Sequence, residues 1–474
     1  MSLMAKLRAL FTPRDMTEGA PWRRIAEFAF PMLVGNFVQQ LYSTVDAVVV
    51  GRSKWGYEGL AAVGNALPIV NLLLALFVGI STGAGILVSQ YFGAKDREKL
   101  SRTIGNCITI GAIATVVIMI AGPLLTGPLL TVMDTLPEMF DASKAYLDIT
   151  FIGIAGFFFY NIFSGVLRGL GDSFSALLYL FVCAVLNVIG DLLLVNSMGV
   201  AGVAWATVIA QVISAVLCFV KLKQLKGVFD LRVQELRPMK QYIWDIIRLG
   251  IPSGLTQAIF SCAMLLTQAL VNSFNDAMFV ACNVMVMRVD GYAMLPNFSF
   301  GQAMGTYAGQ NVGAKKLDRV YQGTKQGTIM SLVTALVLTP LILLCGPALM
   351  RLFTPDNEQL VSMAMGMMYI LAAGYVGMGV TQCLSGVMRG AGDTTTPMWL
   401  SIITTVIVRV PLAYGLVYLV KHLDGPVLLQ QRMMFVSLLT AWLIGVVLHV
   451  VAYFRGGWKK KQIRAIEAEL QAQE

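Results

Sequence analysis

The sequence predicts an all-α polytopic membrane protein: twelve transmembrane helices in two six-helix lobes, related by pseudo-two-fold symmetry along the membrane normal. Three observations predict it. Of 474 residues, 57% are hydrophobic and only 13% charged, with a mean hydropathy of +0.72. A soluble domain carries about 25% charged residues, so lipid is the expected solvent. Apolar stretches of about 20 residues or more, the length a bilayer core requires, recur along the whole chain, and short polar turns of the first half return in the second.

In chain order the apolar stretches lie near 24–50, 59–88, 103–128, 142–167, 174–196, 200–224, 242–272, 277–308, 323–348, 360–387, 395–419 and 427–454. Their basic flanks orient them. With the N-terminus in the cytoplasm, the cytoplasmic segments hold 26 of the 35 Lys and Arg and the outer loops hold 6. That asymmetry places both termini inside, in a cytoplasmic (inner) membrane. The net charge of +9 therefore reflects orientation, and no basic domain of the kind that binds nucleic acid stands apart from it. The expected divisions are a cytoplasmic N-terminal segment (1–23), an N-lobe (24–224), a cytoplasmic linker (225–241), a C-lobe (242–455) and a cytoplasmic tail (456–474). Residues 1–21 carry Lys6, Arg8 and Arg14 but no apolar core or small-residue cleavage site of a signal peptide; they read as a short amphipathic surface helix or a tail.

The second half repeats the first. "GVLRGLGD" (165–172) after the fourth span returns as "GVMRGAGD" (386–393) after the tenth, 221 positions on. "SQYFGAKD" (89–96) returns as "GQNVGAKK" (309–316), and "FAFPMLVG" with Pro31 as "RLGIPSGL" with Pro252. Six is even, so the copies share one orientation and an axis along the membrane normal. Gly79 with Gly83, and Gly301, Gly305 and Gly309, are spaced for close helix packing. Two lobes flanking a cleft suit a transporter. An enzyme is not expected: the seven cysteines are scattered within apolar segments, and His422 and His449 have no acidic partner in their segments.

These residues together resemble the multidrug and toxic compound extrusion (MATE) family, bacterial type. The twelve-helix duplication, the paired "RGxGD" turns, the "GAK" loops and "LYSTVDAVVVGR" ending the first span carry the resemblance, from about Thr17 to Phe454. It implies efflux of drug-like, often cationic compounds against protons or sodium ions, with no cofactor beyond that coupling ion. The chain is expected to act as a monomer in the lipid bilayer.

Ionisable groups within membrane helices are costly and mark candidate sites. Asp46 lies about 33 Å along the first span and Asp191 about 26 Å along the fifth, both in the outer half of the N-lobe. Asn187 is one turn below Asp191 on the same face, and Thr207 enters the sixth span at similar depth. Carboxylates removed from water bind a proton more readily, and more so in pairs. The same oxygens suit a sodium ion; a purely structural hydrogen-bonded pair is the alternative. The family's N-lobe cation site, as the resemblance implies, uses an Asp on the first helix and Asn-x-x-x-Asp on the fifth, matching Asp46, Asn187 and Asp191. Asn36, Gln39, Gln40 and Ser43 form a polar stripe below Asp46. Asn161 on the fourth span extends the expected N-lobe network, and Pro31 permits a bend in the first span.

The C-lobe departs from its twin. At the 221 offset Asn187 maps to Val408 and Asp191 to Leu412, and the acids that one branch of the family carries on helices 7 and 10 are absent, so coupling is expected in the N-lobe. Arg288 and Asp290 are two apart and do not share a helical face; each needs its own partner, structural or substrate. Gln257, Met287, Tyr292, Met294, Tyr369, Tyr375 and Arg409 complete the expected substrate cavity. The alternative to multidrug antiport is a lipid-linked saccharide flippase, disfavoured because Arg288 and Arg409 are few cations for a pyrophosphate.

Overall fold

The computed structural model describes residues 12–51, 56–133, 135, 137–351 and 357–459, without the side chains of 43, 44, 46–51, 56–61 and 65. The described chain is helical with no strand. The helices are α1 (Pro21–Gly51), α2 (Gly56–Gly93), α3 (Arg97–Val132), α4 (Pro137–Ile152 and Ile154–Gly169), α5 (Ser173–Met198), α6 (Val200–Gln224), α7 (Lys240–Asn272), α8 (Ala277–Gly313), α9 (Leu317–Arg351), α10 (Glu358–Gly390), α11 (Thr395–His422) and α12 (Val427–Arg455). Among the described residues ten are long and apolar enough to cross a membrane, and α4 makes eleven when its halves, bent by 51°, count as one span. α1 matches them in length at 31 residues.

Most helices outrun their apolar stretches, because polar turns continue the backbone ladder beyond the hydrocarbon. At α3, Asp96 accepts from the Lys99 N–H at 3.0 Å and starts the helix at Arg97, well before the apolar run.

The repeated turns are the same device twice. Gly171 and Gly392 take φ of +82° and +84°, which ends a helix at little cost only for glycine. The following Asp caps the next helix. Asp172 accepts from the Ser175 N–H (2.9 Å) and hydroxyl (2.7 Å), and Asp393 accepts from the Thr396 hydroxyl (2.7 Å). The "GAK" loops also agree, with Lys95 and Lys315 both at φ +58°. Asp172 is buried, which pushes its carboxyl above the ordinary range; the Ser175 hydrogen bonds pull the other way. Asn caps as well as Asp and carries no charge to desolvate. Asp172→Asn is therefore expected to leave thermal stability in detergent unchanged or higher, whereas Asp172→Ala should lose about 0.5–2 kcal/mol.

The chain packs as two compact units, and their limits differ from 24–224 and 242–455. Among the described residues the first gathers 12–15 with Phe30–Gly254; the second gathers Met16–Ala29 with those from Leu255 onward. The start of α1 thus belongs to the second unit and the first half of α7 to the first. A glycine seam explains α7. A Cβ placed on Gly79 would lie 2.6 Å from Gly254 Cα, and one on Gly83 would lie 2.5 Å from the Ile246 carbonyl oxygen. Only bare backbone lets α2 and α7 approach so closely. In the second unit Gly301 and Gly305 meet Gly386 and Gly390 of α10 in the same manner.

Of the N-terminal segment read as a surface helix or a tail, residues 1–11 lie outside the described residues, and 12–20 are not helical. Met16 and Thr17 are buried in the second unit: the Met16 N–H donates to Gln310 Oε1 (2.8 Å), and the Arg319 guanidinium donates to the Gly19 carbonyl (3.0 Å). Backbone groups satisfied by side chains have no need of a helical ladder. The linker lies against α3, where Asp230 pairs with Arg97 at 3.0 Å and the Met239 N–H donates to Asn106 Oδ1 at 2.8 Å.

The first core is rich in aromatics, with Phe77, Phe157, Phe158 and Phe163; the second is rich in thioethers, with Met285, Met294, Met365, Met367 and Met368. Much of the methionine content therefore fills a core rather than a cavity.

Candidate functional site

In the first unit, α5 and α6 touch where their side chains are smallest. A Cβ on Gly190 would lie 2.8 Å from Ala206 Cβ. The residues beside that contact, Asp191 and Thr207, are thereby brought together, and Asn187 bridges them. Asn187 and Asp191 are fully buried. The Asn187 amide fits with its nitrogen donating to Asp191 Oδ2 at 3.0 Å and its oxygen accepting from the Thr207 hydroxyl at 2.9 Å and N–H at 3.2 Å. The reverse orientation keeps a 2.9 Å bond from Nδ2 to Thr207 Oγ1 but aims the amide oxygen at the carboxylate. A charged carboxylate favours the first orientation. The Asp191, Asn187 and Thr207 oxygens are the donors a sodium ion would use.

The helix of α1 passes through Ser43 and Asp46, whose side chains lie outside the described residues. Its backbone register is informative. A Cβ on Gly35 would touch Leu177 Cδ1 at 3.4 Å and Leu180 Cδ2 at 3.6 Å, so α1 lies against α5 there. Asp46 is eleven residues beyond Gly35, and Asp191 is eleven beyond Leu180. If both helices run in the same sense, Asp46 stands opposite residues 188–191 of α5. Asn36 and Gln40 are partly buried and hold interactions of their own, whereas Gln39 is exposed. Asn161 donates to its own helix at the Phe157 carbonyl, 2.8 Å away. Pro31 lies within α1, two residues past the point where α1 changes unit.

Sequence reasoning missed Gln211 and Ser214, one and two turns from Thr207 along α6. Gln211 Oε1 and Ser214 Oγ are buried without hydrogen-bond partners. The signal was present, since positions 207, 211 and 214 follow the spacing of one helical face.

The second unit holds a cleft of about 610 Å³, counting its open mouth. α7 gives Phe260, Met264 and Gln268 to its wall, α8 gives Asn283, Met287 and Asp290, α11 gives Arg409, and α12 gives Phe435 and Trp442. Of the expected cavity residues, Met287, Asp290 and Arg409 line it. Tyr375 is buried behind the wall, its ring 5.8 Å from Trp442 and its hydroxyl facing Asp290. Met294 belongs to the core, Tyr292 is partly buried, and Gln257, Arg288 and Tyr369 are exposed away from this cleft. Arg288 and Asp290 thus face different surroundings, as residues two apart on a helix must. Gln268 and Asn283 escaped the expected list; Asn283 Nδ2 donates to Gln268 Oε1 at 3.1 Å and joins α7 to α8.

Known proteins resemble this chain over nearly its whole length. The MatE family model matches residues 31–193 and 252–415, once in each half. "Probable multidrug resistance protein YoeA" of Bacillus subtilis is 29% identical over 93% of this chain and 95% of its own. "Probable multidrug resistance protein NorM" of Thermotoga maritima is 25% identical over 93% and 94%. Among solved structures, the outward-facing conformation of a multidrug resistance MATE family transporter of the MOP superfamily superposes with a TM-score of 0.87 at 22% identity, covering 95% of this chain and 99% of that one.

Proposed function

The chain belongs to the MatE family, and on that premise we propose that it is a secondary multidrug efflux transporter of the cytoplasmic membrane, both termini inside. It exports drug-like, often cationic compounds against an inward flow of protons or sodium ions. The observation that carries the coupling assignment is the fully buried pair of Asp191 and Asn187, hydrogen-bonded to the part-buried Thr207 in the first unit, with Asp46 on the neighbouring helix. The names of the relatives support the cargo class.

The cycle follows from the cost of buried charge. Facing outward, Asp46 and Asp191 take up the cation. Neutralised, they no longer need a polar or aqueous partner, α1 repacks about Pro31, and the substrate loses its site. Release of the cation to the cytoplasm restores the charged state, which takes up new cargo. One charge moving inward through 100 mV supplies about 2.3 kcal/mol, roughly fiftyfold accumulation at full coupling.

Proteoliposomes loaded with ethidium and given a proton or a sodium gradient separately test this. One of the two gradients should drive ethidium across the membrane, and its collapse by the matching ionophore should stop transport. Equal transport with no gradient of either ion would contradict the proposal.

A further inference from the structure

We infer that the cleft of the second unit is a binding site for amphipathic zwitterions, with Arg409 receiving an anionic group and Asp290 a cationic one. The inference rests on the transport reading above and names a ligand class for a site apart from the coupling trio.

Arg409 is only 7% exposed, and what remains exposed faces the cleft. Among the described residues its guanidinium makes no hydrogen bond or ion pair of its own, while the charge nearest it is that of Asp290 across the same cleft. Asp290 Oδ1 is buried without a hydrogen-bond partner. A pair evolved only to hold two helices together would close to a direct, bidentate contact. These two groups instead stand apart with a cleft between them. A buried guanidinium and a buried carboxylate oxygen left without partners are costly, and a ligand carrying both opposite charges would satisfy each.

The backbone sets Arg409 there by a specific distortion. α11 widens into a π turn over Ile402–Arg409. Such turns insert a residue into an α-helix and recur at functional sites. One inserted residue changes the repeat offset from 221 to 222, which puts Arg409 where the first unit has Asn187. The second copy thus presents a fixed cation where the first carries an amide. Trp442, Phe260 and Phe435 supply aromatic faces, and Met264 and Met287 supply adaptable thioethers, so the body of the ligand should be flat and apolar.

The test is equilibrium binding to purified protein in detergent, with no gradient, by fluorescence polarisation. The probes are a rhodamine dye bearing a free benzoate, a zwitterion at neutral pH, and its methyl ester, a cation of the same shape. The wild type should bind the free acid about tenfold or more tightly than the ester, the worth of one charged hydrogen-bonded contact. Arg409→Gln should remove that preference by weakening the acid alone, Arg409→Lys should keep part of it, and Asp290→Asn should weaken both dyes. Equal wild-type affinity for acid and ester would overturn the inference without any variant, as would an unchanged ratio in well-folded Arg409→Gln. Failure of gradient-driven transport would leave these affinities untouched, so the two readings fail separately.

Discussion

Asp191→Asn is expected to abolish gradient-driven efflux while the protein still folds and binds its cargo. In cells or proteoliposomes the substrate ratio should fall from the roughly fiftyfold that one charge in 100 mV supports to about one. The substitution preserves volume and hydrogen-bonding capacity. Asn at 191 can still meet the Asn187 amide 3.0 Å away, so packing between α5 and α6 survives, and only the ability to change charge is lost. Asp46→Asn should behave alike, because α1 brings that position opposite residues 188–191 of α5. Asn187→Ala is the informative intermediate. It leaves both acids but removes the group joining Asp191 to Thr207, and should reduce coupling without erasing it.

The second large effect is structural. Gly83→Leu should prevent stable folding or cost at least the 1–3 kcal/mol typical of overpacking, because the added Cβ meets the Ile246 backbone at 2.5 Å and a main chain cannot step aside as a side chain would. Gly64 is the control: on the same helix, a Cβ there meets nothing within 4 Å. Gly64→Leu should therefore match the wild type in thermal unfolding monitored in detergent micelles. Similar losses in both would mean that the seam between α2 and α7 does not hold α7 in the first unit.

Much of this was legible from the residues. Hydropathy located the spans because lipid imposes length and polarity together. The duplicated turns announced themselves because a positive-φ glycine followed by a capping acid tolerates few replacements. Asn187, Asp191 and Thr207 stood out as polar groups at compatible depth, and the structure brings them into contact. What escaped notice depends on tertiary packing. Gly153, where α4 breaks, reads like any other glycine; its place is set by the Val208 side chain pressed against it. Met16 and Thr17 look like tail residues, yet side chains of α8, α9 and the loop between them bond their backbone. The π turn did leave a trace. Residues 402–408 are seven β-branched side chains in succession, a run that crowds the preceding turn of an α-helix and is eased by a wider one. Overlooking it aligned Val408 rather than Arg409 with Asn187.

The central claim is that the trio in the first unit exchanges a cation for cargo. Its most direct test is cation flux itself, measured in proteoliposomes with an outward substrate gradient and no imposed ion gradient, by a lumenal pH dye and by radioactive sodium in parallel. The wild type should move one of the two cations opposite to the substrate, and Asp191→Asn should move neither while retaining substrate affinity. Cation movement in Asp191→Asn equal to that of the wild type would place the coupling elsewhere in the molecule.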